Sequence, residues 1–333
     1  MGLWKLAVRM SMLLTCLLVQ SLAATAVAQE RSAATWPTHP VRLVVPFPPG
    51  ASPNDIIGRL IARQWSEGLG QQVVVDNRAG AGGTIGTEQV TKSNPDGYTL
   101  LISSTTITTS PNLYKSLGYD VARDLQPITM VAAAPMLLYV HPSVPAKTAK
   151  EFLAYAKSKP GELNFGSGGN GTVPHFAGEM LKSMTGIQMQ HVPYKGGSPA
   201  VAALLAGEVK VFIDTPTATL GFAKQGKLRV LAVAEKKRIA LLPDLPTLDE
   251  SGVPGFEMRI WYGFFAPAKT PQAIVARLHA ETVKALGTEE VKSRLTTLGT
   301  EAVGNPPEVF QPLVRSELER WRKVAREAGI KPE

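Results

Sequence analysis

The sequence predicts an α/β protein that folds as two lobes. Short apolar runs alternate with amphipathic helical segments, and this alternation occurs twice, in two sets of similar length. Strands that alternate with helices form parallel sheets covered by helices, so each set predicts a sheet of its own. The chain has 333 residues, which is long enough for two domains even without its N-terminal leader.

The first lobe is predicted to begin with a buried strand at residues 41–47, which ends in a Pro/Gly-rich turn. Asn54 can cap the helix that follows, since its side chain accepts a hydrogen bond from the first turn. The apolar face of this helix consists of Ile57, Leu60, Ile61 and Trp65. The further elements are a strand at residues 72–76, a glycine-rich segment at 79–86, a short helix ending at 92, a turn at 95–97 and a strand at 98–103.

The second set opens with an apolar segment at residues 129–140. The elements after it are a helix at 147–157, a strand at 163–165, a glycine loop at 166–171, a helix at 173–184, a strand near 189–192, a helix at 199–205 and strands at 209–214 and 229–233. This order repeats that of the first set, so it predicts a second lobe of similar size.

The tail from Thr270 onward is predicted to be helical. Pro271 fits a first turn and Gly287 ends the first of its helices. The last helix carries an apolar stripe of Phe310, Val314, Leu318, Trp321 and Val324. The stripe needs a sheet to pack on, and a return to the first lobe is the simplest solution.

This return requires two crossovers between the lobes, near residues 129–140 and 257–266. It assigns residues 36–132 and 263–333 to lobe one, and residues 133–262 to lobe two.

The N-terminal leader, residues 1–28, has the features of a Sec-type signal peptide. Lys5 and Arg9 precede an apolar run, and an Ala-Val-Ala cleavage site ends at Ala28. The apolar run of about a dozen residues is too short for a membrane-spanning helix. The sequence therefore predicts export to the periplasm with cleavage of this leader.

Cysteine content and charge exclude several classes of function. The only cysteine, Cys16, lies in the leader, so the exported chain would have no disulfide, thiolate nucleophile or cysteine-based metal site. Without the leader, 33 basic and 27 acidic residues remain, a net charge of +6. The basic residues are spread along the chain, and we interpret the run at 236–238 as a solvated turn rather than a nucleic-acid site.

Four loops follow predicted strands and could bind a small ligand. They are residues 46–55, 103–110, 166–175 and 192–198. In parallel α/β sheets, ligands bind at the carboxyl ends of the strands, where helix N-termini present free N–H groups. Each loop combines Gly with Ser, Thr or Asn, which suits a carboxylate, although any one of them also fits an ordinary turn. Their recurrence at the same edge favours a binding site.

Catalytic, metal and nucleotide motifs are weak or absent from the sequence. Residues 166–171 match the Gly-x-Gly-x-x-Gly pattern, but no acidic residue follows at the spacing expected for a ribose contact. The chain has no Gly-x-Ser-x-Gly motif, and its histidines lack metal-site spacing. We therefore expect no cofactor, no metal and no enzymatic activity. The five histidines are His39, His141, His175, His191 and His279.

Two titratable residues remain open to alternative interpretations. His175 can donate to a ligand from the first turn of its helix, or it can be a solvated helix residue. Asp214 ends a predicted strand, where it can recognise an amino or hydroxyl group or cap the segment that follows.

The motifs, taken in order, resemble those of the Bug/TctC solute receptors of tripartite tricarboxylate transport systems. The matching segments are residues 45–50 with Asn54 and Asp55, 76–83, 95–101, 165–168 with His175, 192–197, 242–247 and 261–263. They cover nearly the whole chain after the leader. One departure is the loop at 49–55, which has Ala51 for a second glycine and one additional residue compared with many family members.

The resemblance implies a type II periplasmic binding protein, or Venus flytrap, of two α/β lobes joined by two crossing strands. It implies a small carboxylate ligand, namely a di- or tricarboxylate, an acidic amino acid or an aromatic acid. It also implies membrane permease subunits as partners of a monomeric receptor, and a sensor for a membrane kinase is the alternative. The ligand contacts that it implies are Phe47, Gly50, Ser52, Asn54, Asp55, Ser104, Thr105, Ser167, Gly168, Asn170, Gly171, Thr172, His175, Tyr194 and Asp214.

Overall fold

The structure is a computed structural model that describes residues 36–50, 52–330 and 332. Within these residues the strands are β1 (Val41–Val45), β2 (Val73–Asn77), β3 (Thr99–Ser104), β4 (Leu125–Pro135), β5 (Leu137–Val140), β6 (Leu163–Ser167), β7 (Met189–Pro193), β8 (Val211–Asp214), β9 (Arg229–Val233), β10 (Arg259–Pro267) and β11 (Glu301–Ala302). The predicted signal peptide, residues 1–28, lies outside the described residues.

The helices cover both faces of the two sheets. The α-helices are α1 (Pro53–Leu69), α2 (Thr84–Thr91), α3 (Thr106–Thr109), α4 (Val121–Asp124), α5 (Ala149–Ser158), α6 (Val173–Thr185), α7 (Gly197–Ala206), α8 (Pro216–Lys224), α9 (Gln272–Leu286), α10 (Glu289–Thr297) and α11 (Pro307–Glu327). Short 3-10 turns occupy Ala81–Gly83 and Ser110–Leu113. None of the helices in the described part of the chain is both long and apolar enough to cross a bilayer.

Lobe one contains a six-stranded sheet in the order β11-β4-β10-β3-β1-β2. β1 pairs in parallel with β2 and β3, whereas β10 runs antiparallel to β3 and β4. The apolar side chains of β1 are completely buried, because helices cover both faces of a parallel sheet. The carboxyl ends of β1, β2 and β3 therefore lie at one edge.

Lobe two contains a five-stranded sheet in the order β7-β6-β8-β5-β9. β6 pairs in parallel with β7 and β8, and β5 pairs antiparallel with β8 and β9. The described residues thus form two α/β lobes, in agreement with the fold class predicted from the sequence.

The crossings between the lobes differ in detail from the expectation. The apolar segment at 129–140 is two strands, β4 in the first sheet and β5 in the second, separated by the buried residue Met136. The return runs from the end of β9 to the start of β10. Hydrogen bonds join the crossing segments, from Ala234 N–H to the carbonyl of Met136 (2.8 Å) and from Met258 N–H to the carbonyl of Ala234 (2.7 Å).

The helical tail packs on lobe one. α9 lies against α1 and β4, and the indole N–H of Trp65 donates to the hydroxyl of Thr282 at 3.1 Å. α11 covers β4 and also reaches α6 of lobe two, where the rings of Phe176 and Trp321 meet edge to face with centroids 5.9 Å apart. α11 therefore links the two lobes.

Candidate functional site

A cleft between the lobes contains a central cavity of about 480 Å³. It lies where the carboxyl ends of β1 and β2 face those of β6 and β7. Its lining consists of Pro46, Phe47, Pro48, Ala79, Gly80, Ala81, Gly82, Gly83, Gly168, Gly169, Tyr194, Lys195 and Gly196. This volume is in the usual range for small-molecule sites. Among these lining residues, Lys195 is the only one that carries a formal charge.

Two helix N-termini lie at the central cavity, one from each lobe. Gly83 is the N-cap residue of α2 and Gly196 is the N-cap residue of α7, and neither cap has a side-chain hydrogen bond. Both have positive φ (96° and 113°), which glycine adopts without a steric penalty. The first N–H groups of a helix have no partner within it and carry partial positive charge, so this part of the cleft favours an anion.

The loop at 79–83 forms one wall of the cavity in an unusual backbone conformation. Ala81 has a positive φ of 46°, which is rare for a residue with a Cβ atom. Its carbonyl accepts hydrogen bonds from the hydroxyls of Tyr114 and Thr84, both at 2.9 Å. These hydrogen bonds stabilise a backbone conformation that an alanine rarely adopts.

Asp55 organises the loop between β1 and α1. Its carboxylate is 1% exposed and accepts from the N–H of Gly50 (2.8 Å), the amide of Asn77 (2.8 Å) and the guanidinium of Arg59 (3.0 Å). Burial alone would raise the pKa of Asp55, but these hydrogen bonds together hold its pKa below the ordinary value. Asp55 therefore stabilises the loop through hydrogen bonds within lobe one and does not line the cavity.

The lobes touch at the rim of the cleft. The hydroxyl of Thr109 in lobe one donates to the carbonyl of Gly171 in lobe two at 2.6 Å. Gly82 lies so close to lobe two that an added Cβ would be 2.8 Å from the carbonyl oxygen of Asn170. The structure thus has the two walls of the cleft in contact.

A pair of stacked histidines lies beside the cleft in lobe two. The rings of His175 and His191 are parallel, with centroids 4.0 Å apart. Nδ1 of His175 accepts from the N–H of Gly171 (3.2 Å), and Nε2 of His191 lies 2.7 Å from the hydroxyl of Ser167. Burial, aided by the charge of Lys182, lowers the pKa of His175 to about 4.

The pKa of His191 is lower still. Burial, together with the neighbouring His175 and Lys182, lowers it to about 3. Both rings are therefore neutral at neutral pH.

Asp214 ends β8, where it pairs with Leu137 at the start of β5. Its carboxylate accepts a hydrogen bond of 2.7 Å from the N–H of Thr215. Thr215 is the N-cap residue of α8. Burial raises the pKa of Asp214 to about 7, and the hydrogen bond from Thr215 opposes this rise. The hydroxyls of Tyr139 and Tyr262 are buried without a hydrogen-bond partner within the described chain. Burial raises the pKa of both phenols, and the negative charge of Asp214 raises it further.

Two further cavities continue from the central one. The second, of about 270 Å³, is lined by Ala81, Gly82, Leu113, Tyr114, Asn170, Pro193, Tyr194 and Lys195. The third, of about 290 Å³, is lined by Leu113, Asn170, His175, Glu179, His191, Ala328, Gly329 and Ile330. Because neighbouring cavities share lining residues, they form one elongated cleft.

The cleft contains only part of the predicted ligand-contact set. Phe47, Gly168 and Tyr194 line the central cavity, Asn170 lines the second and third, and His175 lines the third. The residues that line none of these three cavities are Gly50, Ser52, Asn54, Asp55, Ser104, Thr105, Ser167, Gly171, Thr172 and Asp214.

The loop at 79–83 was not named as a site from the sequence, and Lys195 and Gly196 were included only as part of the candidate loop at 192–198, not as individual ligand contacts. The cluster of glycines at 80–86, placed directly after β2, was a usable signal. Within the described residues, no group of three or more His, Cys, Asp or Glu side chains is placed to hold a metal ion.

Comparison with known proteins gives a match over most of the chain. The sequence profile of the TctC family, described as "Tripartite tricarboxylate transporter family receptor", matches residues 57–330. Rpa4515 of R. palustris, solved with adipate, is 39% identical with a TM-score of 0.84, over 90% of this chain and 100% of that one.

Two other solved structures are similar to the same extent. The periplasmic binding protein BugD is 37% identical with a TM-score of 0.83, over 90% of this chain and 100% of that one. MatC of Rhodopseudomonas palustris, with bound malate, is 33% identical with a TM-score of 0.81, over 87% of this chain and 99% of that one.

Proposed function

The chain belongs to the tripartite tricarboxylate transporter receptor family, and we propose that it captures a small organic carboxylate between its lobes and delivers it to a membrane permease. The resemblance and the two-lobed periplasmic-binding-protein fold predicted from the sequence are both confirmed. Two solved relatives hold a dicarboxylate, adipate in one and malate in the other, which supports the same ligand class for this chain.

The observation that carries the proposal is the electrostatic character of the central cavity. The N-termini of α2 and α7 approach it from opposite lobes, and its lining has one cationic side chain, Lys195, and no acidic one. A carboxylate that leaves water needs such donors, because an unpaired buried charge is strongly unfavourable. Since one helix belongs to each lobe, a carboxylate between them would bridge the lobes.

Bridging of this kind explains capture by closure. A ligand that contacts both lobes stabilises the closed conformation by its difference in affinity for the closed and open states. The short crossing at Met136 and the Ala234 segment bonded to it provide a place for the rotation, since few residues must change conformation there. The contact between Thr109 and Gly171 would form only when the lobes meet.

The same structure argues against a serine hydrolase. Ser167 and His191 are 2.7 Å apart, which resembles a nucleophile and its base. However, the hydroxyl of Ser167 already donates to the carbonyl of Gly169 at 3.0 Å, so its neighbour His191 must be the donor to Ser167. Ser167 is also completely buried, out of reach of a substrate. We therefore propose a receptor without catalytic activity.

Export and assembly complete the proposal. We propose that the leader at 1–28 directs the chain to the periplasm through the Sec pathway and is cleaved after Ala28. The mature receptor would act as a monomer and present its closed form to permease subunits.

Native mass spectrometry of the protein purified from periplasm tests the proposal first, since a tightly held ligand survives purification. A thermal-shift screen of adipate, malate, acidic amino acids and aromatic acids follows. We expect a co-purified acid, or an acid that raises the melting temperature in proportion to the logarithm of its concentration. A neutral compound that stabilises the protein while no acid does so would contradict carboxylate binding.

A further inference from the structure

Lys195 lies at the junction of two cavities in the cleft. It lines both the central cavity and the second one, and it is the only residue with a formal charge in either lining. Other lysines in lobe two have partners, such as Lys182 with Glu179 and Lys236 with Glu257, whereas Lys195 forms no ion pair with any described residue. Its ammonium group is therefore free to meet a ligand.

The two cavities on either side of Lys195 differ in chemistry. The central cavity has the two helix N-termini, at Gly83 and Gly196. The second cavity has the polar side chains of Asn170 from lobe two and Tyr114 from lobe one. An elongated ligand that occupies the central cavity can extend past Lys195 toward these groups, because both cavities share the wall formed by Ala81, Gly82 and Tyr194.

Charge balance indicates what kind of group would lie there. The two helix N-termini contribute partial charges of roughly +0.5 each, which together balance about one carboxylate. A second carboxylate would lose hydration on closure and would need its own counter-charge. Within the lining of these cavities, only Lys195 provides one.

We propose that Lys195 is a specificity-determining residue that selects ligands with a second anionic group. The first carboxylate binds at the N-termini of α2 and α7, and the second binds against Lys195 where the central cavity opens into the second one. This inference rests on the proposed function, since it assumes that the cleft binds a carboxylate.

The test compares diacids with monoacids of the same chain length. Succinate, glutarate, adipate and suberate are each titrated calorimetrically beside the matching monoacid, with wild-type protein and with Lys195→Met. Methionine keeps the length of the side chain and removes its charge. We expect Lys195→Met to weaken the best diacid by about fivefold to twentyfold, as for a partly enclosed ion pair, and its monoacid by less than about twofold.

Two variants control for the change in charge. Lys237→Met makes the same substitution at an exposed lysine outside the three cavities, and we expect it to leave both affinities unchanged. Lys195→Arg restores the charge and is expected to recover most of the diacid affinity. Thermal unfolding without ligand should be the same for all three variants, because both lysines are exposed.

Each outcome decides the inference. An equal loss for diacid and monoacid, or no loss for either, would overturn the role of Lys195 while leaving carboxylate capture intact. If no acid of either series binds wild-type protein, the inference is also overturned, and the thermal-shift screen then decides separately whether the proposed function survives.

Discussion

Gly82 lies where lobe one approaches lobe two, so Gly82→Ala is expected to impede closure of the cleft. The new Cβ would be 2.8 Å from the carbonyl oxygen of Asn170, whereas ordinary contacts begin near 3.4 Å. The lobes would have to separate by about 0.6 Å at this point, or the loop at 79–83 would have to move. Because the carbonyl is backbone, no side-chain rotation relieves the contact.

The magnitude follows from the cost of overpacking. Inserting a methyl group into a closely packed site costs about 1–3 kcal/mol. If this cost falls on the closed state alone, the affinity for a ligand that requires closure decreases by about fivefold to 150-fold. Gly82 also has a positive φ of 62°, so a side chain adds about 1–2 kcal/mol of backbone strain to the folded protein with or without ligand.

A matched control separates the strain from the clash. Gly226 has a similar φ of 74° and nothing within 4 Å of an added Cβ, so Gly226→Ala should show the strain only. Calorimetric titration with adipate measures affinity, and small-angle scattering with and without adipate measures compaction. We expect both variants to lose a similar amount of thermal stability, while only Gly82→Ala loses affinity and compacts less on ligand binding.

A folded Gly82→Ala protein that binds adipate with wild-type affinity would contradict this prediction. The prediction would also be refuted if Gly226→Ala lost as much affinity as Gly82→Ala, since the effect would then come from backbone strain. The first result would mean that Gly82 does not meet Asn170 in the liganded state, and the second that the contact with Asn170 does not limit closure.

Three further substitutions test other parts of the structure. Thr109→Val removes the bond to the carbonyl of Gly171 without a change in shape, and we expect about a tenfold loss of adipate affinity with little change in unliganded stability; calorimetric titration that shows wild-type affinity would contradict a role of this bond in closure. Asp55→Asn should cost about 2–4 kcal/mol in the free energy of unfolding at pH 7, because three donors lose a charged acceptor. Since the folded-state pKa of Asp55 is lowered, this difference should disappear as the pH falls through that pKa, and a constant difference in denaturant titrations down to acidic pH would contradict the assignment. Asp214→Asn should have the opposite dependence: the folded-state pKa is raised to about 7, so wild-type protein loses stability as the pH rises from about 4 to 7. The variant should therefore become more stable relative to wild type by on the order of 3 kcal/mol over this range, and a constant difference in melting temperature between the two proteins at all pH values would contradict an uncharged Asp214.

The elements could be predicted from the sequence where burial leaves a clear pattern. β1 is an apolar run interrupted only by Arg42 and bounded by a Pro/Gly turn, and α11 has a stripe of apolar residues at helical spacing whose members Phe310, Val314 and Trp321 are buried. The boundary at Met136 could not be predicted in the same way. Both β4 and β5 are buried almost throughout, so no polar residue marks the point where the chain leaves one sheet for the other.

The site was only partly predictable because it is made largely of backbone. Phe47, Gly168 and Tyr194 were expected as ligand contacts from the resemblance to the TctC receptors, and they line the central cavity. Asp55 was expected for the same reason, but its carboxylate is occupied by donors of its own lobe. A position in the chain indicates which edge of a sheet a residue occupies, and it does not indicate which partners its side chain finds there.

The family, the two α/β sets and the edge of each sheet at which a ligand would bind could be inferred from the sequence, since they follow from local periodicity and from motifs along the chain. Which loops meet across the cleft could be seen only in the folded protein. The loop at 79–83 and the segment at 194–196 are far apart in sequence, and each is unremarkable alone. They form one anion-attracting cavity because the packing of the lobes brings two uncapped helix N-termini and Lys195 to the same place.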